Sequence, residues 1–232
     1  MVKYKKIAGL GLIGFAAVGT FVLTLQHEPV RTESSPEKSN FGDALDSTER
    51  ALLQPGDIVL RKGFGWLSES ISRYCPDAVE VSHCGILVLH RGEPHVIHSV
   101  SSSASDWDGV QMHALSDFCA QSQRNSLVVV RFNAPDAGQR LSAYAHQKLQ
   151  QRIPFDHAFD PTDTTALYCS ELVWSAIHSA SQVDILNSSG YDRPHLRFDV
   201  FLNPKHFRVI LNHHSRRTVP DQAKKGPQAL LI

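Results

Sequence analysis

The chain has 232 residues, enough for one sizeable domain with appendages. Lys+Arg and Asp+Glu are both 23, so no surplus charge recruits nucleic acid or an acidic substrate. A chain 42% hydrophobic and 20% charged is globular in composition, and four cysteines are too sparse for a disulfide scaffold.

Lys3, Lys5 and Lys6 precede a run from Ile7 to Leu25 that carries no charge. Helical, it spans about 28 Å, close to the ~30 Å hydrocarbon core of a bilayer. A secretory signal also starts basic, but its apolar core is usually only about 7–15 residues long. Residues 1–26 are therefore read as a membrane anchor in preference to a signal cut near Ala17-Val18-Gly19. Residues 27–50 are polar, with Pro29, Pro36 and Gly42, and read as a linker.

The domain is expected over 51–212. Gln54-Pro55-Gly56-Asp57 is a turn, in which Asp57 has a stabilising part, and Ile58-Val59-Leu60 a short strand. Residues 63–71 read as a loop and a short helix. Val81–Leu89 is β-rich and apolar; a turn at Arg91–Pro94 then leads to a second strand, His95–Val100. Leu127–Phe132 is a further strand. Asp136 is expected to cap a helix of about 137–151, whose Leu141, Tyr144, Ala145, Lys148 and Leu149 fall on one face. After a loop rich in Pro and Asp, Cys169-Ser170-Glu171 opens a helix with Leu172, Val173, Ala176, Ile177 and Ala180 on its apolar face. His206–Leu211 is a last strand, and 213–232 a loose basic tail. Antiparallel strands followed by the cysteine helix predict an α+β domain.

Three residues in this layout point to nucleophilic chemistry. A thiol becomes a nucleophile when its pKa is lowered, a base takes its proton, and donors await the oxyanion. The helix N-terminus lowers the pKa of Cys169 and offers amide donors. His83, in the Val81–Leu89 strand, is the candidate base, and His98, one strand over, the residue that fixes its tautomer. A cysteine or histidine in such a setting is by itself usually an inert core residue; the combination carries the reading. The 13 histidines invite a metal, and His213-His214 could bind one adventitiously. No H-x-x-x-H, HExxH or C-x-x-C is present, so neither metal nor cofactor is expected. Tyr168 is placed for packing or for the oxyanion, and Trp66, Trp107 and Trp174 for a pocket wall or the core.

The wording of these segments resembles a family. Gln54-Pro55-Gly56-Asp57-Ile58-Val59, Ser82-His83-Cys84-Gly85-Ile86 and Val96-Ile97-His98-Ser99 are similar to the strand series of the papain-like NlpC-type superfamily. Tyr168-Cys169-Ser170-Glu171-Leu172-Val173, following those strands instead of preceding them, resembles the circularly permuted YiiX/YaeF-type amidases, as does the lead-in from Ile153 through Phe159. The resemblance covers about residues 52–212. It implies a circularly permuted papain-like (NlpC-like) fold, an antiparallel sheet packed against the helix that carries the nucleophile. It implies Cys169 as nucleophile, His83 as base and His98 as orienter, with His95 the competing choice. The third position is often Glu in the permuted group, and Cys84 stands where Val is usual. Members are amidases or peptidases, with lipid-directed acyltransferases among their relatives. The expected substrate is thus an amide in a peptide, lipid or acylated envelope molecule. A thiol acyltransferase and a binding module that keeps the fold are the alternatives. The basic N-terminal end implies a single pass through a bacterial inner membrane with the domain on the periplasmic side, or secretion if the segment is cleaved.

Overall fold

Ile58, Val59 and Leu60 belong to two different hydrophobic clusters. Successive side chains of a strand point to opposite faces of its sheet. Ile58 and Leu60 enter one cluster and Val59 the other. The computed structural model describes residues 42–65, 68–69, 71, 80–186 and 197–214. Among the described residues are six strands: β1 (Ile58–Arg61), β2 (His83–His90), β3 (Glu93–Val100), β4 (Gly109–Ala114), β5 (Val128–Phe132) and β6 (Phe207–Asn212). They form one sheet in the order β4-β3-β2-β1-β5-β6, antiparallel at every pairing. Arg91 and Gly92 join β2 to β3, both at positive φ (53° and 85°), as a tight hairpin turn requires.

Helices cover both faces. Helix α1 is Ser47–Leu52, α2 Leu115–Ala120, α3 Ala137–Gln150 and α4 Cys169–Ser181. Leu141 and Ala145 of α3 and Leu172, Val173, Ala176 and Ile177 of α4 pack on Ile58, Leu60, Ile86 and Ile97. Leu115 and Phe118 of α2 pack on Val59, Leu87, Val96 and Val129 of the opposite face. The α+β architecture and the cysteine helix agree with the sequence reading.

Several boundaries differ from it. The folded part begins before residue 51: Asp46 and Glu49 form a capping box that starts α1, and Asp43, Leu45 and Glu49 are buried. At the other end His213 is buried too, not part of a loose tail. One ring nitrogen lies 3.1 Å from Asp43 Oδ1 and the other 3.0 Å from Glu49 Oε1. Asp136 does not cap α3; it adopts a left-handed conformation (φ 54°) and makes no capping bond. Strand β4 and helix α2 were not anticipated. The anchor over 1–26, most of the linker, Trp66, Cys75 and residues 215–232 lie outside the described residues. Among the described residues no helix is long and apolar enough to cross a membrane.

Candidate functional site

Antiparallel register sets a row of polar side chains across four strands. Arg61 of β1 pairs with His83 of β2, and His98 of β3 with Gln111 of β4. Residues directly opposed share a face, and diagonal neighbours are within reach of long side chains. Arg61, His83, His98 and His113 thus lie diagonally along the face covered by α2. Phe118 touches three of them, with ring centroids 5.8 Å from His83 and 5.2 Å from His98, and 4.4 Å from the Arg61 guanidinium. Gly85 is glycine for a local reason. A Cβ there would come within 2.5 Å of Val96 Cγ1 and 2.9 Å of His98 Cβ.

Cys169 reaches the end of this row from the opposite face. It is the first residue of α4, and Ser99 of β3 pins the preceding segment by donating its hydroxyl hydrogen to the Leu167 carbonyl at 2.5 Å. The Cys84 thiol, His83 and the Cys84 amide are the groups that act on the Cys169 thiol. Cys84 and His83, with the Cys84 amide, hold the Cys169 thiol well below the ordinary thiol range, against the opposing effect of burial. Cys84 is pushed the other way, first by its complete burial and then by Cys169. The unusual cysteine after His83 is thus a donor to the nucleophile candidate. The three described cysteines, Cys84, Cys119 and Cys169, are free thiols.

His83 Nε2 lies 2.7 Å from His98 Nδ1, which leaves Nδ1 of His83 for Cys169. Burial, then the nearby charges of His83, Arg61 and His113, push His98 well below the ordinary imidazole value, so it is neutral. Its other nitrogen, Nε2, lies 3.0 Å from His113 Nδ1. A neutral His98 that accepts from His83 must carry its own proton on Nε2 and donate it to His113. One direction of donation then runs from His83 to His113. His95 is excluded from the row. It is three residues from His98 and so faces the other side, where its ring meets His90 and Nδ1–H donates to the Glu93 carbonyl.

The structure thus brings Cys169, His83 and His98 together. His113 and Arg61 are the members that sequence reasoning missed. Val110, Met112 and Ala114 alternating with Gln111 and His113 was the available signal for β4.

These residues border a cleft of about 660 Å³. Phe64, Ile71, Trp107, Phe155 and Phe159 supply apolar wall, while Ser68, Ser82, Arg61, Gln121 and His113 line the polar part. Trp107 is therefore wall, and Trp174 packs against the main core instead. Asp156 shapes the lead-in loop: its carboxylate accepts from the amides of Ala158, Phe159 and Asp160 at 2.7–3.0 Å, turning Phe159 into the wall. Tyr168 is buried with its ring against Phe159 and does not line the cleft, so packing is its part. Asp57, besides accepting the Gln54 amide at 2.8 Å as the turn requires, is paired with Arg131.

Glu171, in the first turn of α4, accepts the Tyr168 amide at 3.3 Å. Burial raises its pKa to about 7, helped by the charges of Asp156, Asp163 and Asp160. The folded state then binds more protons than the unfolded one between about pH 4.5 and 7, so stability falls as pH rises through that window and stays lowered above it. Glu171→Gln keeps an oxygen for the cap and removes the penalty. Its Tm is expected to exceed that of the wild type at pH 8, with the gap closing towards pH 5. Thermal melts showing the same difference at both pH values would contradict this assignment.

The sequence pattern of the family described as "Permuted papain-like amidase enzyme, YaeF/YiiX, C92 family" matches residues 52–214. Among solved structures, the crystal structure of metalloprotein yiiX from Escherichia coli O157:H7 is similar, with a TM-score of 0.54 and 20% identity, over 68% of this chain and 97% of that one. At that identity the likeness carries the fold alone. No curated protein matches the chain. The word metalloprotein is that neighbour's own description. The nitrogens of His83, His98 and His113 pair with one another instead of converging, and among the described residues no group of three or more His, Cys, Asp or Glu is placed to hold a metal ion.

Proposed function

The chain belongs to the permuted papain-like amidases of the YaeF/YiiX family, and from that premise we propose that it is a thiol-dependent amidase with Cys169 as nucleophile, His83 as base and His98 as orienter. The observation that carries the reading is the Cys169 thiol at a helix N-terminus, lining one cleft with His83 and His98 and lowered in pKa by Cys84 and His83.

The thiol proton passes to His83, and Cys169 Sγ bonds to the carbonyl carbon of a bound amide. The first-turn N–H groups of α4, which have no carbonyl partner within the helix, face the oxyanion that forms. As the C–N bond breaks, His83 returns the proton to the leaving amine, and a thioester remains on Cys169. Water, deprotonated by His83, attacks the thioester; the acid leaves and the thiol is restored. His98 keeps the His83 proton on Nε2 while Nδ1 exchanges with sulfur and substrate, and His113 accepts from His98 in turn.

The substrate is an amide in a peptide, a lipoprotein or another acylated envelope molecule. The aromatic wall of the cleft supports an apolar part beside the scissile bond. The chain is held at a bacterial inner membrane with the domain on the periplasmic side; the lysines ahead of Ile7–Leu25 and the length of that run support this. Transfer to an amine or alcohol in place of water is the second reading, favoured by the same apolar wall.

Incubation with p-nitrophenyl acetate followed by intact-mass and peptide-mass analysis tests the proposal. An acetyl group on Cys169, absent in Cys169→Ala and turned over by water, is the expected result. An acetyl-Cys169 that waits for an added amine makes the enzyme a transferase. No acylation of Cys169 under conditions where the protein is folded would overturn the enzyme reading.

A further inference from the structure

Arg61 is a buried charge that the proposed reaction does not use. It ends β1, is 7% exposed, and lines the cleft together with His83 and Cys169. Burial pulls its pKa down to about 10, so it remains a cation at neutral pH. Its hydrogen-bond and ring partners are neutral. Nη1 donates to the Gln121 backbone carbonyl at 2.5 Å and Nη2 to the Gln121 side-chain oxygen at 3.2 Å, while the guanidinium lies on the Phe118 ring. Nε has no hydrogen-bond partner among the described residues.

Several other cations of the domain are paired with carboxylates. Lys62, next in sequence, pairs with Glu69 and Glu80; Arg131 pairs with Asp57; Arg197 pairs with Asp199; and the buried His213 sits between two carboxylates. Among the described residues no carboxylate lies within ion-pair distance of Arg61, and Asp106, which also lines the cleft, is not an exception. A charge removed from water without a counter-charge is costly, and proteins keep one where a ligand completes it. The Cys119 and Cys169 thiols act on Arg61 through charge, by less than burial does, and neither makes a hydrogen bond to the guanidinium.

We propose that Arg61 selects substrates bearing a carboxylate close to the amide that Cys169 attacks, the guanidinium supplying the counter-charge that the cleft lacks. A planar carboxylate suits a planar guanidinium whose Nε–H is still unused. The polar part of the cleft around Arg61, Gln121 and Ser82 would hold this group, leaving the aromatic wall for the apolar remainder. This assignment rests on the thiol-amidase reading and names the substrate class of the same site.

Iodoacetate and iodoacetamide share a leaving group and differ in carboxylate against amide, so the ratio of their alkylation rates cancels the thiolate fraction. With the full-length chain in detergent at pH 7, and labelled Cys169 identified by peptide mass, the wild type is expected to favour iodoacetate. Arg61→Gln should lower the ratio about tenfold, the scale of one hydrogen bond to a charged group, and Arg61→Lys by much less. An unchanged ratio in folded Arg61→Gln would overturn the proposal. If that variant fails to fold, protection of the wild type decides: N-acetylglycine should slow iodoacetamide labelling where N-acetylglycinamide does not. Equal protection by both, or protection by inorganic phosphate and not by N-acetylglycine, overturns it as well. Failure of iodoacetamide itself to label Cys169 at pH 6 sinks the thiol reading instead, so the two failures are distinguishable.

Discussion

Alkylation of Cys169 by iodoacetamide at pH 6 is expected to slow by about tenfold in His83→Ala. An unperturbed thiol of pKa about 8.5 is only ~0.3% thiolate at that pH, whereas a thiol held well below that value is mostly ionised. That gap is the ceiling of the effect, because the largest contribution, from Cys84, stays in place. The Cys84 thiol and amide contacts to Cys169 survive the substitution, so some of the depression remains, but the cation that forms with the thiolate is gone. His98→Ala should cost less, because His98 is neutral and contributes orientation through one 2.7 Å contact. The readout is clean for the described thiols: burial pushes Cys119 up to about 12, and Cys84 is fully buried and raised. Stopped aliquots analysed by peptide mass give the rate. Equal rates in wild type and His83→Ala would mean that the ring does not serve the sulfur.

Arg131→Met is expected to destabilise the domain by about 3–5 kcal/mol, the usual cost of leaving a buried charge unpaired. Asp57 is fully buried, and its two oxygens accept from Arg131 Nε at 2.6 Å and Nη2 at 2.8 Å. Without the guanidinium, the Gln54 amide is the donor left to that carboxylate among the described residues. For a domain of this size each kcal/mol moves Tm by about 2–4 °C, so the drop should be roughly 10 °C. Asp57→Asn should cost less, since Arg131 is one-fifth exposed on its side chain and can turn to water. The double variant should recover part of the loss, as coupled neighbours do. Melting curves of the three proteins test this, and additive losses would remove the pair from the account of stability.

The strands that carry His83 and His98 were legible because period-two alternation and a hairpin turn are local signals. The same alternation decides between His95 and His98, which are an odd number of residues apart and cannot share a face. Helix α4 was legible from its apolar face and its short polar start. Strand β4 was not read, because Ser101–Gly109 resembles a loop that swallows the strand after it. His113 was lost with it. Arg61 was illegible for a related reason: a charge at a strand end reads as solvated until α2 is known to cover it. The pairing of His213 with Asp43 crosses 170 positions of chain, and no window of sequence reports such a contact. Asp136 failed as a cap because a plausible residue type does not fix the backbone angle it must adopt.

The order of parts along the chain also decides when the proposed nucleophile could first react. The ribosome releases the strands with His83 and His98 first, and Cys169 follows about seventy residues later, several seconds at ordinary elongation rates of about 5–20 residues per second. Until then the histidines lack the sulfur they are proposed to serve. Once it emerges, Cys169 is an ordinary thiol until α4 docks on the sheet and meets Cys84 and His83. Strand β6 and His213 come later still and close against β5, Asp43 and Glu49. On the proposed reading, nucleophilicity is therefore a property of the nearly finished chain, and nascent polypeptide passes through synthesis with that thiol silent.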